Sequence, residues 1–64
     1  MNIYIERSKK SLSKEFSGKA IDLLKELDII SEDVLIIRND SLVTEDEDLE
    51  NTDSIRLLSV ISGG

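Results

Sequence analysis

Cysteine, histidine and proline are all missing from this 64-residue sequence, and glycine occurs only three times. Each absence removes a class of function. Without cysteine there is neither a disulfide framework nor a thiolate metal site. Without histidine the chain lacks the usual general base and the commonest metal ligand, which argues against a catalytic triad, a zinc site and a haem site. No apolar run approaches the length of a membrane span, and no signal peptide opens the chain. A cytoplasmic protein that neither enters nor binds a membrane is the expectation. Positive charge is also scarce: eight Lys and Arg face fourteen Asp and Glu, a net charge of −6. Nucleic acid and anionic membranes are poor partners for such a surface. A basic docking surface on another protein is its natural complement.

What is present is periodicity. Hydrophobic residues make up 39% of the chain, a modest share concentrated in regular runs, so one small domain near the lower size limit is expected. Met1 to Arg7 alternates, with Ile3 and Ile5 on one face and Asn2, Tyr4 and Glu6 on the other, the period of a half-buried strand. A polar turn follows, and Ser11 to Phe16 alternates again around Leu12 and Phe16. At Ser17-Gly18 the period changes. Ala20, Ile21, Leu23, Leu24 and Leu27 fall at spacings of three and four, predicting an amphipathic helix over Gly18 to Leu27 with Ser17 as its N-cap. Ile29 and Ile30 continue the apolar surface past the helix end and are expected to plug the core. Val34 to Ile37 is a continuous apolar run that reads as an interior strand. Arg38 to Ser41 has turn chemistry, and Leu42-Val43 makes a short return strand. Six of the ten residues from Thr44 to Asp53 are acidic and only Leu49 is apolar, which predicts a solvated loop, with one helical turn inserting Leu49. That loop lacks the Asp-x-Asp-x-Asp-Gly pattern of a calcium site, and no metal site is assigned. Ser54 to Ile61 forms the last strand, with Ile55 and Leu57 inward and Arg56 and Leu58 outward.

Two hairpins separated by a helix suggest an α+β chain of the β-grasp type, a mixed sheet of four or five strands with one helix on one face. The first and last strands are then expected side by side and parallel at the centre. The domain spans 1–61, and 62–64 is a flexible tail. Two of the three glycines are Gly63 and Gly64. At an average glycine usage of about 7%, a chance pair at that place has a probability of about 0.5%. Glycine carries the largest ordering cost of any residue, so such an end adds nothing to stability. Two readings stand. One is a frayed end or an expression scar; the other is a carboxylate on a thin stalk, with no Cβ to block a partner's narrow channel.

Taken with this element order and the Gly63-Gly64 end, the sequence resembles the ubiquitin-like sulfur carriers of the ThiS and MoaD family along essentially its whole length. Ile3 and Ile5 look like the family's first strand. Leu23, Leu24 and Leu27 repeat its helix pattern. Ile36-Ile37-Arg38-Asn39-Asp40 looks like its strand and Asn-containing turn, and Leu49 followed by Asp53 and Ile55 like its later turn and strand. Thr52 stands where the family usually has glycine, and Ser62-Gly63-Gly64 is nearer to MoaD-type endings than to the three glycines common in ThiS. The resemblance implies a carrier, not an enzyme, with no bound cofactor. A partner enzyme using ATP and Mg²⁺ would adenylate the Gly64 carboxylate, with Ser62 and Gly63 as the tail. A sulfur donor would then convert it to a thiocarboxylate for a sulfur-accepting synthase of thiamine, molybdopterin or related biosynthesis. The free chain would be a monomer. An amine in place of sulfide would instead attach the chain to lysines, as a ubiquitin-like modifier. A small interaction domain with an inert end is the third reading. By alternation the docking face for the adenylating enzyme comprises Tyr4, Arg56, Leu58 and Val60 with one pair from the Val34 to Ile37 run, assigned as Val34 and Ile36.

Overall fold

The alternation at the start of the chain produces a hairpin of β1 (Asn2–Ile5) and β2 (Lys10–Ser13), with Ile3 opposite Leu12. A computed structural model describes residues 1–60. The second strand is shorter than its alternation suggests. After Ser13 the chain leaves the ladder, the Phe16 N–H donates to Asn51 Oδ1 at 2.9 Å, and the Phe16 ring packs against the edge of the core.

The helix also starts later than predicted. Gly18–Lys19 is a two-residue strand, β3, and α1 covers Ala20–Glu26. Ser17 is not its N-cap. Lys19 holds that position in extended conformation without a side-chain cap. The free N–H groups of the first turn are met from elsewhere: Ala20 N–H donates to the Glu47 carbonyl at 2.9 Å and Ile21 N–H to the Glu45 carbonyl at 2.8 Å. A cap supplied across the chain replaces the local one. Gly18 has φ +142°, and a Cβ there would meet the Phe16 ring at 3.4 Å, so glycine is required by the positive-φ backbone of β3, outside the helix. At the other end Asp28 takes φ +59°. Its N–H donates to the Lys25 carbonyl and that of Ile29 to Leu24, a Schellman closure with Asp in the usual glycine place. That closure splits the isoleucine pair. Ile29 packs against the core, and Ile30 is turned outward and exposed, contrary to the expectation that both fill the interior.

A 3-10 turn at Ser31–Asp33 leads into β4 (Val34–Arg38) and β5 (Ser41–Val43). Asn39 and Asp40 both have positive φ, at 48° and 71°. They form the two-residue type I′ turn that matches strand twist. The acidic segment contains β6 (Asp48–Leu49) where a helical turn was expected, pairing antiparallel with β3. This pairing inserts Leu49 into the core. β7 (Ser54–Ser59) completes a mixed five-stranded sheet of order β2-β1-β7-β4-β5. β1 and β7 are parallel neighbours in its centre. This is the β-grasp arrangement. α1 covers one face, where Ala20, Leu23 and Leu24 bury against Ile3, Ile36, Ile55 and Leu57. Each leucine or isoleucine so buried contributes about 1.5–3 kcal/mol. Among the described residues no α-helix covers the other face.

Candidate functional site

Ile55 and Leu57 are buried under α1, so the alternation of β7 turns Arg56 and Leu58 to the uncovered face. Register then assigns their neighbours. Tyr4 lies opposite Arg56 on β1, while Ile37 lies opposite Arg56 and Leu35 opposite Leu58 on β4. Leu42 of β5 lies opposite Ile37. The assignment of Val34 and Ile36 to this face is therefore corrected. They are 8% and 4% exposed and pair with Ser59 and Leu57. Directly opposed residues in an antiparallel pair share a face. Once Leu57 is in the core, Ile36 must follow it. Alternation alone could not choose between the two pairs of a continuous apolar run. Leu35, at 43% exposed, and Leu42, at 64%, are the surface residues that sequence reasoning missed.

The uncovered face thus has two halves. Over β4, β5 and β7 it is apolar: Leu35, Ile37, Leu42 and Leu58. Over β1, β2 and the start of β7 lies a shallow groove of about 510 Å³ whose lining includes Asn2, Tyr4, Ser11, Ser13, Ser54 and Arg56. Arg56 sits at the boundary, and no ion pair involves it among the described residues. An apolar patch around an unpaired guanidinium suits a partner surface offering apolar side chains and a carboxylate. Val60, just beyond β7, is also exposed.

A second cluster joins the acidic segment to the β4–β5 hairpin. Asp53 is buried. Its carboxylate accepts from Glu50 N–H at 2.8 Å, Arg38 Nε at 2.7 Å and Asn39 Nδ2 at 2.9 Å. Asn39 Oδ1 in turn accepts from Ser54 N–H, and Arg38 also donates to Glu47 at 3.0 Å. The Glu50 N–H, with Asn39 and Arg38, holds the Asp53 carboxyl below its ordinary range although burial opposes this. The bond to Asp53 chiefly raises the Arg38 guanidinium. The Asp53 carboxylate takes all three of its bonds from within the fold, so the cluster is a brace between the acidic segment and the hairpin. Among the described residues no group of three or more acidic side chains is arranged to hold a metal ion. Nor, among the described residues, is any helix long and apolar enough to cross a membrane.

At the far end of β7 the last described bonds are Ser59 N–H to Glu6 Oε1 and Val60 N–H to the Asp33 carbonyl, both 3.0 Å. Ile61, Ser62, Gly63 and Gly64 follow and lie outside the described residues; the last strand, expected to run to Ile61, ends at Ser59, before the described Val60.

The family model described as the ThiS family matches residues 6–64, which includes both terminal glycines. The chain belongs to the ThiS family. No curated protein matches the chain significantly. ThiS proteins are small carriers, not enzymes, and the elements matched here include the helix, the brace and the whole of β7. The departure from the family at Thr52 has no backbone cost. The non-glycine residues with positive φ are Lys9, Asp28, Asn39 and Asp40; Thr52 keeps an ordinary conformation, so its turn has no need of glycine.

Proposed function

We propose that this protein carries sulfur as a thiocarboxylate on Gly64. The observation that supports it most directly is the family match running through Gly63 and Gly64 on a chain whose central strand, β7, ends a few residues before them. A free carboxylate resists nucleophilic attack. If one of its oxygens attacks the α-phosphorus of ATP, pyrophosphate leaves and an acyl-adenylate forms. Sulfide then attacks the acyl carbon, AMP departs, and the thiocarboxylate remains. A persulfide donor would give an acyl disulfide, which a thiol cleaves to the same product. The Mg²⁺ and ATP belong to the activating enzyme. This chain contributes the carboxylate and the docking face, and a sulfur-accepting synthase takes the product.

The test is intact mass after incubation with ATP, Mg²⁺, a ThiS-type activating enzyme and a sulfide or persulfide source. Replacement of one oxygen by sulfur is expected, confirmed by thiol-selective alkylation to separate it from oxidation. The chain alone should release no pyrophosphate from ATP. Attachment to lysine side chains without any thiocarboxylate would favour the modifier reading instead.

The docking face for that enzyme is the apolar half of the sheet with Tyr4, Arg56 and Val60. Leu58→Asp places a charge where a partner would bury a side chain, and capture by the activating enzyme is expected to weaken about 10- to 100-fold. Leu58 lies on the uncovered face, so the melting temperature should stay near the wild-type value. Unchanged affinity in a surface-binding measurement would remove this face from the reading.

A further inference from the structure

The parallel ladder between β1 and β7 ends before β7 does. Glu6 N–H donates to the Leu57 carbonyl at 3.0 Å, and then the chain turns away, with Lys9 N–H closing back on the Glu6 carbonyl at 3.1 Å. Ser59 lies two residues past Leu57, where β1 no longer offers a backbone acceptor. Its N–H is met by the Glu6 side chain instead, at 3.0 Å. On the opposite side Val60 N–H donates to the Asp33 carbonyl. That carbonyl is held by the 3-10 turn, where Asp33 N–H bonds the Ile30 carbonyl at 2.9 Å, and the Asp33 carboxylate pairs with Arg7 at 3.5 Å.

We infer that Glu6 is a positioning residue for the reaction at Gly64: its carboxylate replaces a missing strand and, with the Asp33 carbonyl, fixes the point from which the tail extends. The inference rests on the reading of Gly64 as the reactive end. Glu6 is solvent-exposed, and its carboxylate reaches the end of β7 through the bond to the Ser59 N–H. The geometry gives that contact a consequence. The four residues after Val60 span at most about 14 Å in any conformation. A pinned exit therefore sets how deep a partner's reactive centre lies below the docking face. Without the Glu6 contact Val60 keeps its bond to the Asp33 carbonyl, so the reach is unchanged but the exit is held from one side only. The wider spread of exit directions is expected to lower the population of any one delivered conformation about tenfold, on the order of the cost of ordering one backbone residue.

Two variants test this. In free Glu6→Ala the Ser59 amide is expected to exchange with solvent about tenfold faster, while Glu6→Gln, whose side-chain oxygen still accepts, keeps wild-type protection. With the activating enzyme, Glu6→Ala should lose about tenfold in kcat for sulfur incorporation with KM unchanged, because docking is intact and only delivery suffers. Glu6→Gln should restore kcat. Wild-type kcat in Glu6→Ala, a loss confined to KM, or a Glu6→Gln as impaired as Glu6→Ala would each overturn the role. If the wild-type chain itself acquires no sulfur, the carrier reading fails and the positioning role goes with it, whereas a fully active Glu6→Ala removes the positioning role alone.

Discussion

A chain with alanine at both Gly63 and Gly64 is expected to fold normally and to gain no thiocarboxylate. The core of the described residues runs from Ile3 to Leu57 and includes neither position, and stability should change by less than about 0.5 kcal/mol. The chemistry is far less tolerant. Acyl transfer to phosphorus and then to sulfur requires the carboxylate to be placed to within a fraction of an ångström, and a misplacement of about 1 Å costs on the order of 100-fold. Two added Cβ atoms are expected to shift the carboxylate by at least that much in the narrow partner channel proposed for the tail. They also remove the positive-φ conformations that only glycine adopts freely. The expected loss is at least roughly 100-fold for the pair, read as the rate of mass gain with activating enzyme and sulfur source. The single variants apportion it, with Gly64→Ala the worse because it alters the reacting residue itself. A double variant charged at the wild-type rate would show that the tail does not depend on the absence of side chains at its end.

Asp53→Ala should be the most damaging polar substitution in the body of the domain. It strands the Glu50 N–H, the Asn39 amide and the Arg38 guanidinium around a buried site. Stranding such donors costs roughly 3 kcal/mol. A single core of this size rarely supplies more than about 3–5 kcal/mol in total. A large unfolded population, and a urea midpoint shifted far toward zero, are the expected results. The effect reaches α1 as well, because the segment that Asp53 braces supplies the Glu45 and Glu47 carbonyls to the first turn of the helix. Asp53→Asn keeps the shape and loses the charge, so it should fall between the two.

The same carboxylate makes stability depend on acid. Its pKa in the fold is depressed below the ordinary 3.8, first by the Glu50 N–H and then by Asn39 and Arg38. A depressed carboxyl stabilises fully above its unfolded value, and that contribution disappears as pH falls through the folded one. Wild-type stability should therefore drop in the acid region below about pH 4, and Asp53→Asn should show a flatter acid limb in the same titration. Coincident limbs would place the acid sensitivity elsewhere.

The local patterns were good guides wherever a residue's own neighbours in the chain decide its environment. Ile3, Ile55 and Leu57 alternate with polar residues, and an alternating strand has only one face it can bury. Leu23, Leu24 and Leu27 recur at helical spacing, and Asn39-Asp40 carry turn chemistry that needs no distant contact. The paired glycines stand at the end of a family-typical element order, and the family match runs through both.

Four features stayed out of reach for one reason: each depends on which segment lies alongside. Val34 to Ile37 is apolar on both faces, so only its register with β7 places Val34 and Ile36 inside and Leu35 and Ile37 outside. The helix begins at Ala20 because carbonyls from the acidic segment, more than twenty residues later, cap it where Ser17 does not. Asp53 reads as one more acidic loop residue until Arg38 and Asn39 close around it. Glu6 reads as the polar end of a strand until Ser59 arrives beside it with an unpaired N–H. Periodicity records which residues prefer burial, but hydrogen-bond partners and the choice between two apolar faces are set by contacts across the sheet, and those exist only once the chain has folded.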